Sequence, residues 1–180
     1  MRRRDELLAS KTKRYALAVQ VKCKFEATMY KIMFVCHGNI CRSPMAEFIC
    51  KDMVKKLGRT AEFEIASSAV STEEIWNGVG NPVYPPAKAE LAKHGISCLG
   101  KRATLLTEKD GAYYDLLLCM DGSNVRRAVK IVGERNAYKC KKLLDYVGGG
   151  DVADPWYTGN FEITYRDLVR GLNGLLNELQ

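Results

Sequence analysis

From Lys31 onward the spacing of apolar and polar residues switches repeatedly between a strand-like and a helix-like pattern. "KIMFV" (31–35) is nearly all apolar, as expected of a short strand buried on both faces of a parallel sheet. In "PMAEFICKDMVKKLG" (44–58), Met45, Phe48, Ile49, Met53 and Leu57 recur at helical spacing. Pro44 stands where a first helical turn tolerates it, and Gly58 is a stop signal. "AEFEIAS" (61–67) predicts a second strand, and "AKAELAKHG" (87–95) a short helix with Gly95 as a left-handed cap. "TEKDGAYY" (107–114) opens with capping-box spacing from Thr107 to Asp110, "DLLLCM" (115–120) reads as a third buried strand, and "DGSNVRRAVKIVG" (121–133) as a helix capped by Asp121 or Ser123. "YKCKKLL" (138–144) predicts a fourth strand. From Phe161 to Leu179, Ile163, Tyr165, Leu168, Val169, Leu172, Leu175, Leu176 and Leu179 step by three and four, the mark of a packed amphipathic helix.

Strands alternating with helices imply parallel pairing through right-handed crossovers. The fold class expected is α/β: one domain, a four-stranded parallel sheet with helices on both faces. In such sheets the working site lies beyond the carboxyl ends of the strands. Residues 36–43 follow the first strand there, and Asp154 follows the fourth. Two stretches lack a period: "STEEIWNGVGNPVYPP" (71–86), expected to be a long, mobile surface loop, and "DYVGGGDVADPWYTGN" (145–160), the exit from the fourth strand.

A chain of 180 residues that is 47% hydrophobic is long enough to bury one substantial core. The net charge of +7 suggests nucleic acid until it is located. Residues 1–28 hold eight basic residues (Arg2, Arg3, Arg4, Lys11, Lys13, Arg14, Lys22, Lys24) against Asp5, Glu6 and Glu26, leaving only +2 for positions 29–180. A basic groove would have to be built from that small remainder, so a nucleic-acid partner is not expected. The same arithmetic sets 1–28 apart as a basic N-terminal extension, disordered or loosely packed, from a domain spanning 29–180. Its acidic residues argue against a transit peptide. No apolar run approaches the roughly 20 residues a membrane span requires. Seven cysteines, with no C-x-x-C pair and only two histidines, point to a reducing cytoplasm rather than a disulfide framework or a zinc site. Neither metal nor cofactor is expected.

"CHGNICRS" (36–43) carries the chemistry. A loop of successive backbone amides running into a helix N-terminus favours an anion, through both the unpaired N–H groups and the helix dipole. Gly38 and Asn39 are residue types that bend such a loop through positive φ. Arg42 adds a planar fork matching two phosphate oxygens. Cys36, at the start of the loop, would face a bound phosphorus, and the same amides and guanidinium favour its thiolate. Ser43 can donate to that thiolate. A lone cysteine after a strand is ordinarily a small core hydrophobe; C-x5-R-S in a strand-to-helix turn is a much more demanding coincidence.

"FVCHGNICRSPMAE" resembles the signature of the low-molecular-weight protein tyrosine phosphatases, and "ADPWYTGNFEITYRDL" resembles their acid loop with its following helix. With "LLLCMDGSNVRRAV" between them, the resemblance runs from Lys31 to the C-terminus. It implies Cys36 as nucleophile, Arg42 holding the equatorial oxygens, and Ser43 and Asn39 ordering loop and thiolate. Asp154 would be the acid that protonates a leaving phenolate and then the base that activates water. His37, Gly38, Ile40 and Cys41 complete the loop, and Ser67, at the end of the second strand, is placed to contact Asn39. Trp156 and Tyr157 resemble one aromatic wall of the substrate cleft, with Trp76 a candidate for the other. Cys41 is a candidate partner for Cys36 in a protective disulfide. Some members place a supporting histidine where this chain has "CLGKRAT", nearest Gly100 or Lys101, which leaves that support in question. The expected partners are phosphorylated proteins, and a monomer is expected.

Three other readings stay open. Arsenate reductases resemble the same loop but relay electrons through a closely spaced cysteine pair, which Cys98, Cys119 and Cys140 do not provide. Arginine phosphatases of the family tend to carry Thr where this chain has Ile40, a difference that favours phosphotyrosine. A non-catalytic phosphopeptide module would need neither Cys36 nor Asp154.

Overall fold

The computed structural model describes residues 29–180; the expectation for 1–28 lies outside the described residues. The sheet is four-stranded and entirely parallel, built from β1 (Tyr30–Cys36), β2 (Phe63–Ala69), β5 (Leu116–Cys119) and β6 (Cys140–Lys142) in the order β2-β1-β5-β6. Its physical cause is legible in β1. Side chains alternate across a strand, so Ile32, Phe34 and Cys36 face one core and Met33 and Val35 the other, all of them buried. Fully burying a side chain such as Phe34 is worth about 1.5–3 kcal/mol, which is why a nearly continuous apolar run settles in the middle of a covered sheet.

On the first face lie α1 (Arg42–Lys56) and α6 (Phe161–Glu178), with α2 (Pro85–Lys93) packed against both. On the second lie α3 (Glu108–Tyr113) and α4 (Gly122–Val132). The capping box forms as its spacing predicts: Thr107 Oγ1 accepts from Asp110 N (3.3 Å), and the Asp110 carboxylate accepts from Thr107 N (2.7 Å). Gly58 and Gly95 follow their helices at φ of 70° and 72°. Among the described residues, no helix is long and apolar enough to cross a membrane.

Two boundaries differ from the sequence pattern. The fourth strand is only Cys140–Lys142, and Leu143–Val147 turns into a 3-10 helix whose Leu143 and Leu144 pack against α6. A Cβ on Gly171 of α6 would stand 2.7 Å from Leu143 Cγ, so the leucines fill a groove left by a glycine. A short apolar run carries no period with which to tell a strand from a helical turn. The segment 71–86 also contains structure, an antiparallel hairpin of β3 (Ile75–Trp76) and β4 (Val79–Gly80). Asn77 and Gly78 join the two strands with φ of 49° and 77°, the paired positive values of a type I′ turn. The hairpin is tied down by Asn81 N donating to Glu74 O (2.8 Å) and Ala103 N donating to Asn81 O (2.8 Å).

Candidate active site

The loop from Cys36 to Arg42 leaves β1 and becomes the first turn of α1. Asn39 takes φ of 56°, a conformation costing most residues roughly 1–2 kcal/mol. Its side chain offsets that cost by holding three partners. Nδ2 donates to Ser43 Oγ and Ser67 Oγ, both at 2.8 Å, and Oδ1 accepts from Thr104 N at 3.1 Å. Gly38, expected to share the positive φ, does not adopt it. Its lack of a side chain matters sterically instead, since a Cβ there would lie 2.8 Å from Glu74 Cγ. The backbone of the segment after β2 closes over the loop, with Ser71 N donating to His37 O (3.0 Å).

Cys36 is buried at the floor, its Sγ 2.9 Å from Ser43 Oγ and 3.3 Å from the Asn39 amide that donates to it. Arg42 is 5% exposed and holds two carboxylates at once: Nη1 donates to Asp121 Oδ2 (2.7 Å), and Nη2 lies 2.6 Å from Asp154 Oδ2. Its guanidinium is opposed by burial, but Cys36, Asp154 and Asp121 more than compensate and hold its pKa above the ordinary value. The other Asp154 oxygen accepts from Trp156 N (3.1 Å), capping the one-turn helix α5 (Pro155–Thr158). The Asp154 segment is anchored from α6, where Thr164 Oγ1 donates to Ala153 O (2.9 Å) and Asp167 accepts from Ala153 N (3.1 Å).

These groups share one cavity of about 430 Å³, which brings Cys36, Ile40, Cys41, Arg42, Asp154, Trp156 and Tyr157 together. Trp156 rests against Tyr84, ring centroids 6.1 Å apart. Trp76 does not line the cavity; it projects from the hairpin, 69% exposed. The wall on that side is formed by Glu73 and Glu74. His37 stands at the rim, Nε2 2.8 Å from Glu73 and Nδ1 3.2 Å from Arg127 Nη1. Because Arg127 can only donate, Nδ1 is the acceptor and the proton sits on Nε2.

Ser67 meets Asn39 and also donates to Glu47 Oε2 at 2.6 Å. Behind it Lys101 Nζ lies 2.9 Å from the same oxygen, so a lysine occupies the place about which the missing histidine raised a question. Cys41 is buried at the N-cap of α1, and its thiol is pushed up to about 12, first by burial and then by Cys36 and Asp154. Cys98, Cys119 and Cys140 are buried free thiols, each raised chiefly by burial. Among the described residues there is no group of three or more His, Cys, Asp or Glu that could hold a metal ion.

Sequence pattern alone missed Asp121 as more than a cap. One of its oxygens caps α4 through Asn124 N (2.7 Å) while the other holds Arg42, and only the capping half of that role has a local signal. Glu73, Glu74 and Arg127 of the rim, and Glu47 beneath the loop, were likewise missed.

Comparison with known proteins bears on the family and the fold. A family model described as low molecular weight phosphotyrosine protein phosphatase matches residues 31–180. The low molecular weight protein-tyrosine-phosphatase YfkJ of Bacillus subtilis is 37% identical over 155 residues, covering 84% of this chain and 97% of YfkJ. Its crystal structure superposes with a TM-score of 0.78 at 36% identity, covering 84% of this chain and 95% of the other. The low molecular weight phosphotyrosine protein phosphatase of Sus scrofa is 35% identical, covering 86% of this chain and 99% of the relative. The YwlE arginine phosphatase, 30% identical, superposes with a TM-score of 0.71, covering 83% of this chain and 95% of that one. With a matching model over nearly all the described residues and relatives matched almost end to end, the chain belongs to the low molecular weight phosphotyrosine protein phosphatase family.

Proposed function

We propose that this protein hydrolyses phosphotyrosine in phosphorylated proteins through a phosphocysteine on Cys36. The observation that carries the reading is that Cys36, Arg42 and Asp154 line one cavity, with Arg42 bridging to the Asp154 carboxylate at 2.6 Å. When a phosphate enters, its oxygens compete for the guanidinium and the loop amides. Asp154 then exchanges Arg42 for the ester oxygen. Released from Arg42, Asp154 takes up a proton from solvent; the Cys36 thiolate attacks phosphorus, the P–O bond to the ring breaks, and Asp154 passes that proton to the leaving phenolate. Asp154, now a carboxylate, takes a proton from water as that water attacks phosphorus. The S–P bond breaks, and Ser43 stabilises the departing thiolate. Asp121 holds Arg42 in plane throughout. Trp156 and Tyr157 offer the aryl ring one apolar flank.

The test is Cys36→Ser. Turnover of an aryl phosphate should vanish while vanadate or phosphate still binds; a variant keeping a tenth of the wild-type rate would sink the mechanism. A second reading, phosphoarginine hydrolysis, draws on the acidic wall of Glu73 and Glu74, which suits a guanidinium, and on the arginine phosphatase among the structural neighbours. Ile40, an apolar side chain in the loop, weighs for an aryl ester. Matched peptides decide: kcat/KM should favour phosphotyrosine by at least about tenfold, or 1.4 kcal/mol, and the reverse order would establish the second reading.

A further inference from the structure

The mouth of the cavity that holds Cys36 carries opposite charge on its two sides. On one side stand Glu73 and Glu74, from the segment after β2. On the other is α4, whose 11 residues include Arg126, Arg127 and Lys130 and no acid. Ser123 and Arg127 both line the cavity, and because residues four apart share a helix face, that face of α4 is turned to the mouth. Arg126 reaches back to the same end of the helix, since a Cβ on Gly122 would stand 3.5 Å from its Nη1. All three cations are exposed, and among the described residues none of them is in an ion pair. His37 spans the two sides. Its Nε2 donates to Glu73 (2.8 Å), and its Nδ1 accepts from Arg127 Nη1 (3.2 Å). The imidazole thus fixes Arg127 at the rim through one nitrogen. The other edge of the guanidinium, Nε and Nη2, has no acceptor among the described residues, and two N–H groups side by side are the geometry that grips a carboxylate.

A phosphotyrosine in a protein enters such a cavity by its side chain, so its backbone stays at the mouth and the residues before and after it pass over the rim. We propose that Arg127, steered by His37, is a specificity-determining residue: it takes the carboxylate of an acidic residue on one flank of the phosphotyrosine, while Glu73 and Glu74 turn acidic residues away from the other flank. This role rests on the reading of the cavity as a phosphotyrosine site, and it sets which phosphotyrosines are preferred. A long side chain already held by one hydrogen bond has less rotamer freedom to lose on binding than a free one. That makes Arg127, rather than Arg126 or Lys130, the principal contact. Glu73 does not compete for the guanidinium, because it lies beyond the imidazole and already accepts from it. At an exposed rim a single charge pair changes affinity by a modest factor, so the effect is one of choice among substrates and not of catalytic power.

The experiment is initial-rate kinetics of the full chain on phosphotyrosine peptides that differ only beside the phosphotyrosine: neutral on both flanks, Asp on the amino side, Asp on the carboxyl side, and the two matching Lys peptides. One of the two Asp peptides should show a KM about three- to fivefold below that of the neutral peptide at similar kcat, and the other no gain. Arg127→Ala should bring that KM ratio to about one. Arg127→Glu should invert it, so that the Lys peptide with its charge at the same position becomes the preferred one. His37→Leu should lose part of the preference in the wild-type background and shift nothing further in the Arg127→Ala background. Arg135→Ala, which changes an exposed arginine beyond α4, should leave the ratio as it is. Each ratio compares peptides on one protein, so a variant that folds less well still reports its preference. Equal KM values for neutral and acidic peptides, a gain from acid on both flanks alike, or a preference that outlasts both Arg127 substitutions would overturn the proposal. Failure to turn over any phosphotyrosine peptide is a different result, one that removes the phosphotyrosine reading and this role with it.

Discussion

The two halves of the cavity are built on opposite plans. The half around Cys36 is buried, and Asn39, Arg42, Ser43 and Ser67 are each hydrogen-bonded and almost wholly shielded from water. The half around Asp154 is a one-turn helix ending in Gly159 at φ of 66°, with Trp156 and Tyr157 66% and 86% exposed. An anion cradle gains from preorganisation, since amides already in place need not reorient as charge develops. A group that must give a proton, let a product leave and then take a proton back gains from freedom. The anchors at Ala153 hold the base of the acid segment, while its tip carries the exposed Trp156 and Tyr157.

The largest way to break this contrast is from the acid side. Asp154→Ala should slow esters with poor leaving groups by about 10²–10⁴-fold and those with good leaving groups far less. Equal losses across a series of aryl phosphates would mean that Asp154 is not the acid. Within the nucleophile loop, peroxide-treated protein should regain activity with dithiothreitol, and Cys41→Ser should lose most of that rescue. Equal recovery in wild type and variant would make Cys41 a packing residue.

A smaller effect sharpens the buried half. Glu47 is held below its ordinary pKa despite its burial. A carboxyl lowered in the folded state contributes stability that is present above its unfolded value, about 4.3, and is lost as pH falls through the folded value. Urea unfolding across pH 3–6 should therefore show wild-type stability dropping on the acid side, with a shallower drop in Glu47→Gln. Parallel curves would mean that the ion pair with Lys101 adds nothing net. Smallest of all, we propose that removing residues 1–28 leaves both turnover and melting temperature nearly unchanged, as expected if the domain is 29–180. A marked loss would place the extension in the fold.

What could be read from the chain follows from how local each signal is. The strand β1, the cap at Thr107 and the apolar stripe of α6 rest on patterns within a few residues, and they appear where expected, except that Ile163 at the start of the stripe is exposed. The Asn77–Gly78 turn was equally local and equally available, although the surrounding glycines and prolines read as an unstructured loop. Glu47 and Lys101 are a different matter. On the helical pattern Phe48 belongs inside α1, whereas the structure leaves Phe48 partly exposed and buries Glu47. The reason is a contact with Lys101, more than fifty positions away along the chain. No period or cap announces a partner at that distance, and only the folded sheet brings the two together.

Tyr84 belongs to neither half, yet it touches both. Its backbone amide holds the carbonyl of Ile40 at 2.9 Å, while its ring lies 6.1 Å from those of Trp156 and Phe161. Displacement of sulfur for oxygen at phosphorus requires attacking and departing atoms to stay collinear, so lateral slippage between the two loops is as harmful as separation. On the proposed mechanism, one residue from a third segment thus acts as a shim, its backbone on one loop and its ring on the other.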